Sequence, residues 1–255
     1  MSEAFLELGL RPPTSAAFTS KSSFRSKPRI LTLGGDHSVA LPALRALSKV
    51  HGQAISVVHF DAHLDTWNPA KYPSNWWDAS DAATQSFFTH GTMFWMAAQE
   101  RLIANASSVH AGLRTRLSGL EDNEDDDAQG WIRIATDDID YLGVDGIAKA
   151  ILAQVGTEKP VYLSVDIDVI DPGMAPGTGT PEPGGWTTRE LIRVLRGIEQ
   201  LNVVGADIVE VSPAYDGASE TTAMAAAQVA FEILSSMVKR GLDSGAGGQK
   251  VRDEL

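Results

Sequence analysis

The chain has 255 residues, 43% apolar and 21% charged, which is ordinary globular usage with room for one large domain or two small ones. Its 33 acidic residues outweigh 21 basic ones, and the net charge of −12 argues against nucleic acid as a partner, because that footprint is basic. Cysteine is absent, which excludes disulfides, thiol nucleophiles, cysteine-ligated zinc and iron–sulfur clusters; no run of about 18 uninterrupted apolar residues offers a membrane span.

Residues 1–29 read as a flexible leader. Arg11, Lys21, Arg25, Lys27 and Arg29 stand among serines and threonines with no acidic residue between them. Glu3 and Glu7 speak against a mitochondrial transit peptide, and no apolar stretch follows a basic start as a secretory signal requires. The apolar run 30–33 predicts a strand ending in Gly34-Gly35, followed by a helix through Leu41 to Leu47. Further strands are predicted over 55–60, around His110, over 161–165 and over 203–211, and a long Ala-rich helix over 222–239. Strands separated by helices imply an α/β fold with a mostly parallel sheet. The acid run Glu121, Asp122, Glu124, Asp125, Asp126 and Asp127 reads as a solvated loop, not a cation site. Glycines and prolines between 172 and 185 mark a long loop directly after a strand, where α/β folds place their chemistry. The expected organisation is a catalytic domain over 30–240 and a flexible tail over 241–255.

Three segments place His and Asp at predicted strand ends: Gly34-Gly35-Asp36-His37-Ser38, Asp61-Ala62-His63-Leu64-Asp65, and Ser164-Val165-Asp166-Ile167-Asp168. In extended chain alternate residues share a face, so Asp61, His63 and Asp65 would converge, as would Asp166 and Asp168. Four converging carboxylates repel and resist ionisation when buried. Two divalent ions would supply +4 against that −4, and an oxygen-rich set with two imidazoles suits Mn²⁺ better than tetrahedral zinc. His59, inside its strand, reads as a packed core residue, and His51 and His110 as structural.

At these residues the chain resembles the ureohydrolase family, and within it the agmatinase branch. Ser164-Val-Asp-Ile-Asp-Val-Ile-Asp-Pro-Gly-Met-Ala-Pro176 is similar to that family's long signature, with Thr89-His-Gly-Thr-Met-Phe94 and Val209-Glu-Val-Ser-Pro213 as further landmarks, and the likeness runs from about residue 30 to about residue 238. The resemblance implies a three-layer α/β/α fold and a centre of two manganese ions that hydrolyses a guanidino group to urea and an amine. It implies His37, Asp61, His63, Asp65, Asp166 and Asp168 as metal ligands. It implies His90 as the proton-shuttling histidine and Glu210 as the carboxylate that holds the guanidinium. Family members carry two strands before Gly-Gly-Asp-His that this chain does not show, so 30–33 is expected at an exposed sheet edge and the chain reads as N-terminally truncated.

Agmatine, giving putrescine and urea, is the expected substrate, because Phe87-Phe88-Thr89 before His90 would line an apolar wall that leaves arginine's carboxylate unpaired. The alternatives are another linear guanidine such as 4-guanidinobutyrate, or an inactive paralogue that binds or regulates a partner. A small-molecule guanidine and copies of the chain itself are the expected partners, with neither nucleic acid nor membrane. The default compartment is cytoplasmic, although Arg252-Asp-Glu-Leu255 resembles an ER-retention tetrapeptide.

Overall fold

A computed structural model describes residues 1–12, 27–70 and 88–243. Short apolar and β-branched runs form the strands β1 (Ile30–Leu33), β2 (Ser56–Phe60), β3 (Ser108–Leu113), β4 (Trp131–Ala135), β5 (Val161–Asp166) and β6 (Val203–Val209). They make one six-stranded sheet in the order β1-β6-β5-β2-β3-β4, parallel at every pairing. The inner strands β2, β5 and β6 are buried at every residue, as expected where helices cover both faces.

Helices α1 (Ser2–Leu10), α2 (Ala40–His51) and α3 (Met93–Gln99) are linked along one face. Helices α5 (Asp138–Val155), α6 (Thr188–Gly197) and α7 (Thr221–Asp243) cover the other, while α4 (Leu120–Ala128) lies against β4. Strand alternation divides the core: Val58 and Phe60 of β2 pack with Ile147, Leu191 and Val229, whereas Val57 packs with Leu44, Phe94 and Trp131. The arrangement is a three-layer α/β/α fold. A reciprocal cap starts α6, where Thr187 accepts from the Glu190 amide and Glu190 from the Thr187 amide.

Two expectations change. Residues 2–10 are helical and rest on α2, with Gly9 buried against Val50, so the leader is not uniformly flexible. The acid run is helix α4, not a loop, and one of its carboxylates, Asp126, is fully buried. Its composition is that of a solvated segment, and nothing local announces that Asp126 finds partners on distant strands. Helix α7 has the length and apolarity of a membrane-crossing helix, yet Ala225, Val229, Ile233 and Met237 are buried in the core beside the sheet. Among the described residues β1 pairs with β6 alone, as expected of an edge strand, and Leu33 is exposed.

Candidate metal centre

The carboxyl ends of β1, β2, β5 and β6 lie side by side, and the chemistry-bearing residues follow directly from them. Each motif turns on the same device. An aspartate at or just past a strand end accepts from the backbone amide two residues on: Asp36 from Ser38 at 2.9 Å, Asp61 from His63 at 2.5 Å, and Asp166 from Asp168 at 2.9 Å. The side chains therefore converge through tight turns, not through the extended alternation the sequence suggested. Asp65 lies in the left-handed region at φ 56°, an unfavourable conformation for a non-glycine residue. Gly112, at φ 101°, lets the end of β3 approach; a Cβ there would sit 2.5 Å from Val169.

His37 is wholly buried. Its Nδ1 stands 3.0 Å from Asp65 Oδ2 and 3.3 Å from Oδ2 of both Asp61 and Asp166, yet makes no hydrogen bond. Its Nε2 is engaged by Ser164 Oγ at 2.7 Å; Ser164 donates to Asp207 at 2.7 Å, and Tyr162 donates to the other Asp207 oxygen at 2.5 Å. That chain places the ring proton on Nε2 and turns the Nδ1 lone pair toward the three carboxylates. His63 Nδ1 stands 3.1 Å from Asp61 Oδ1 and 3.0 Å from Asp168 Oδ2. Asp61 thus presents one oxygen to each imidazole and joins two adjoining cation positions: His37, Asp61, Asp65 and Asp166 around one, His63, Asp61 and Asp168 around the other.

The electrostatics fit this grouping. Burial, with Asp168 and Asp61 adding to it, pushes the Asp166 carboxyl well above its usual range, and burial with Asp61 pushes Asp65 up to about 6. Burial disfavours the charged form of both histidines as well, but the facing carboxylates prevail, raising His37 well above normal and His63 to about 12. A buried, unbonded ring nitrogen ringed by carboxylate oxygens is the environment of a metal ligand, and the residues fit divalent ions.

At the rim stands a second group. His90 Nδ1 is 3.5 Å from Asp36 Oδ2, and atoms of Asp36, His90 and Glu210 lie within 4.8 Å of one another. Glu210 follows β6 directly and has φ 59°; its amide donates to Gly35 O at 2.8 Å, and its Oε1 accepts from the His37 amide at 2.6 Å. Burial pushes its carboxyl up, and neighbouring Asp36 adds to that. His90 is half exposed on a turn tied down by Trp67 N to Gly91 O, while Phe94 N donates to Asp65 O. Phe88 is partly exposed beside it; Phe87, the other half of the expected apolar wall, lies outside the described residues. The structure thus brings all eight expected site residues to one end of the sheet, six inward and two at the rim. The sequence reading missed Asp36, although it sits inside a motif already singled out. It also missed Ser164 as the support of His37, and Arg114, which donates to the carbonyls of Asp168, Val169, Glu182 and Gly112 and so pins the long loop.

The profile of the Arginase family matches residues 14–235. The chain is 48% identical over 243 residues to "Putative agmatinase 3" of Schizosaccharomyces pombe, covering 94% of this chain and 57% of that protein. Among solved structures, a hypothetical agmatinase from Burkholderia thailandensis superposes with a TM-score of 0.72 at 36% identity, covering 94% of this chain and 66% of that one. Proclavaminate amidino hydrolase from Streptomyces clavuligerus does so with a TM-score of 0.72 at 38% identity, over 91% and 74%. The chain spans less than two thirds of the length of these curated relatives.

Proposed function

The chain belongs to the Arginase family, and from that premise we propose that it hydrolyses a linear guanidine, agmatine before others, to urea and an amine (putrescine) at a centre of two manganese ions. The observation that carries the reading is the His37 Nδ1 atom, buried without a hydrogen bond among three carboxylates and joined through Asp61 to a second imidazole. Four carboxylates and two imidazoles form a hard, oxygen-rich set that suits manganese better than a tetrahedral zinc site. His37, Asp61, His63, Asp65, Asp166 and Asp168 would hold the ions, which would supply the chemistry of a water acidified to near neutral pH.

The remaining chemistry belongs to the side chains. Glu210 sits beside the cluster with one oxygen on the His37 amide, which fixes its plane; its other oxygen and the free lone pair of the first accept from the planar guanidinium. The burial that raises its pKa is relieved by that cation, so charge complementarity and orientation arrive together. Collapse of the tetrahedral adduct places a proton on the departing amine nitrogen. His90, half exposed within reach of Asp36 and near Glu210, is placed to deliver it and to be reprotonated from solvent.

The test is kcat/KM for agmatine, arginine and 4-guanidinobutyrate, measured as urea release on manganese-loaded protein. An unpaired α-carboxylate costs enough for an agmatine preference over arginine of about 10²-fold or more. Arginine equal to or better than agmatine refutes the substrate assignment, and a clear win for 4-guanidinobutyrate reassigns it. Two manganese per chain are expected; none after supplementation would make the chain a binding paralogue instead.

A further inference from the structure

The strand registers align one residue from each strand in a single transverse row: Thr32, Asp207, Ser164, His59, His110 and Arg133. All six are polar. A polar row through a covered sheet is costly unless every group finds a partner. Ser164 and Asp207 find theirs behind His37, as described. The two histidines form a separate chain that the proposed chemistry does not use.

His59 and His110 are opposite each other on β2 and β3, with their Nδ1 atoms 2.8 Å apart. On one side His59 Nε2 lies 2.9 Å from Asp61 Oδ2; on the other, His110 Nε2 lies 3.1 Å from Asp126 Oδ1. Asp126 is anchored in turn by Thr66 Oγ1 at 2.7 Å and by Arg133 at 2.7 Å on its other oxygen. Burial opposes charge on Asp126, but His110, Thr66 and Arg133 together hold its carboxyl below the ordinary range. Both rings are fully buried; Phe94 meets His59 edge-on at 4.8 Å, and Trp131 stacks on His110 at 4.1 Å, so water is kept away.

The contacts have a direction. A carboxylate only accepts, so His59 must donate from Nε2 to Asp61 and His110 from Nε2 to Asp126. The inner contact takes one further ring proton, which either imidazole can carry. Neither ring can flip without breaking a buried hydrogen bond. The Asp61 oxygen so held is the one turned toward His37.

We infer that His59, His110 and Asp126 are positioning residues for the metal centre: by fixing Asp61, the carboxylate common to both cation positions, they set how tightly the chain holds its divalent ions. The inference rests on the two-ion reading above. None of the three faces the rim where the guanidinium would lie, so no direct part in the chemistry is assigned to them. The buried aspartate of the acid run thereby acquires a purpose its neighbours do not share.

The test uses manganese titrated into the metal-stripped full chain, followed by calorimetry, by the rise in Tm on metal addition, and by the electron-spin signature of a coupled manganese pair. Removal of a partner bonded directly to a ligand weakens metal binding by about 10–100-fold, and Asp126→Asn, acting through two imidazoles, is expected at the lower end, about tenfold. The metal-induced rise in Tm should shrink, and the coupled-pair signal should give way to that of isolated ions. If Asp126→Asn does not fold, His110→Gln, which keeps a donor toward Asp126, carries the same expectation. A merely structural role would lower Tm equally with and without metal and leave affinity unchanged, as Ile151→Val in the opposite core layer should. Unchanged manganese affinity in a folded relay variant overturns the inference. A wild-type chain that takes up no manganese overturns the two-ion reading and the inference with it.

Discussion

The two imidazoles of the centre are the same ligand held in different ways. His37 is sealed in a turn just past the end of β1, with Nε2 fixed through Ser164 to Asp207 and Tyr162 and its amide on Glu210. His63 is partly exposed on a turn; its Nε2 faces Glu182 at 3.8 Å, beyond hydrogen-bonding range. Side chains of β5 and β6 back the first position, whereas at the second Arg114 holds the carbonyl of Asp168. Ligands fixed by buried partners lose little entropy on binding, so the His37 position should hold its ion more firmly and the His63 position should exchange first.

The largest effect should come from removing the carboxylate the two share. Asp61→Ala is expected to strip both ions and abolish urea release, whereas Asp168→Ala, which touches only the His63 side, should leave one ion and little activity. Elemental analysis of the purified variants distinguishes them; two ions and retained turnover in Asp168→Ala would sink the ligand assignment. Next in size is His90→Asn, which should keep both ions while kcat falls about 10²-fold, the usual share of a general acid. Metal loss in that variant would make His90 a ligand instead.

A smaller, graded effect concerns pH. Burial works against charge on His63, but Asp168 and Asp61 raise it to about 12 in the metal-free protein, above its ordinary value of 6.5. That proton therefore stabilises the metal-free fold fully below pH 6.5, and the contribution is lost as pH rises toward 12. Manganese must displace it, so apparent affinity at this position should rise by up to about tenfold per pH unit within that window. Calorimetry in two buffers of unlike ionisation enthalpy would count the proton released, and pH-independent affinity would contradict the assignment. Smallest is Thr187→Ala, which breaks the α6 cap far from either imidazole and should cost about 1 kcal/mol in denaturant unfolding. Any change in metal content there would mean that the two positions are not insulated from the helical layer.

Much of the site was legible because its residues are consecutive or nearly so. Asp61, His63 and Asp65 fall within five residues of a strand end, and Asp166 and Asp168 within three, so their gathering needs only local turns. Glu210 and His90 were legible by resemblance; their nearness to His37 comes from Gly34-Gly35 zipping onto the end of β6 and from the Asp65 carbonyl holding Phe94. Helix α4 was misread because six acids in seven positions have the pattern of a solvated segment, and burial of one of them depends on partners far away in sequence.

By itself the amino-acid sequence marked five of the six strands, missing β4, together with their parallel pairing and the grouping of His and Asp at strand ends, since alternation, Gly-Asp punctuation and charge balance are local properties. Which strands became neighbours, and in what register, was decided only in the tertiary structure. Parity says which face His59, Ser164 and Asp207 share within their own strands, but not that they fall in one row with His110 and Arg133. Register between strands is set by packing of the whole sheet against its two helical layers. The supports behind the ligands exist only at that level, and so does the buried place of Asp126.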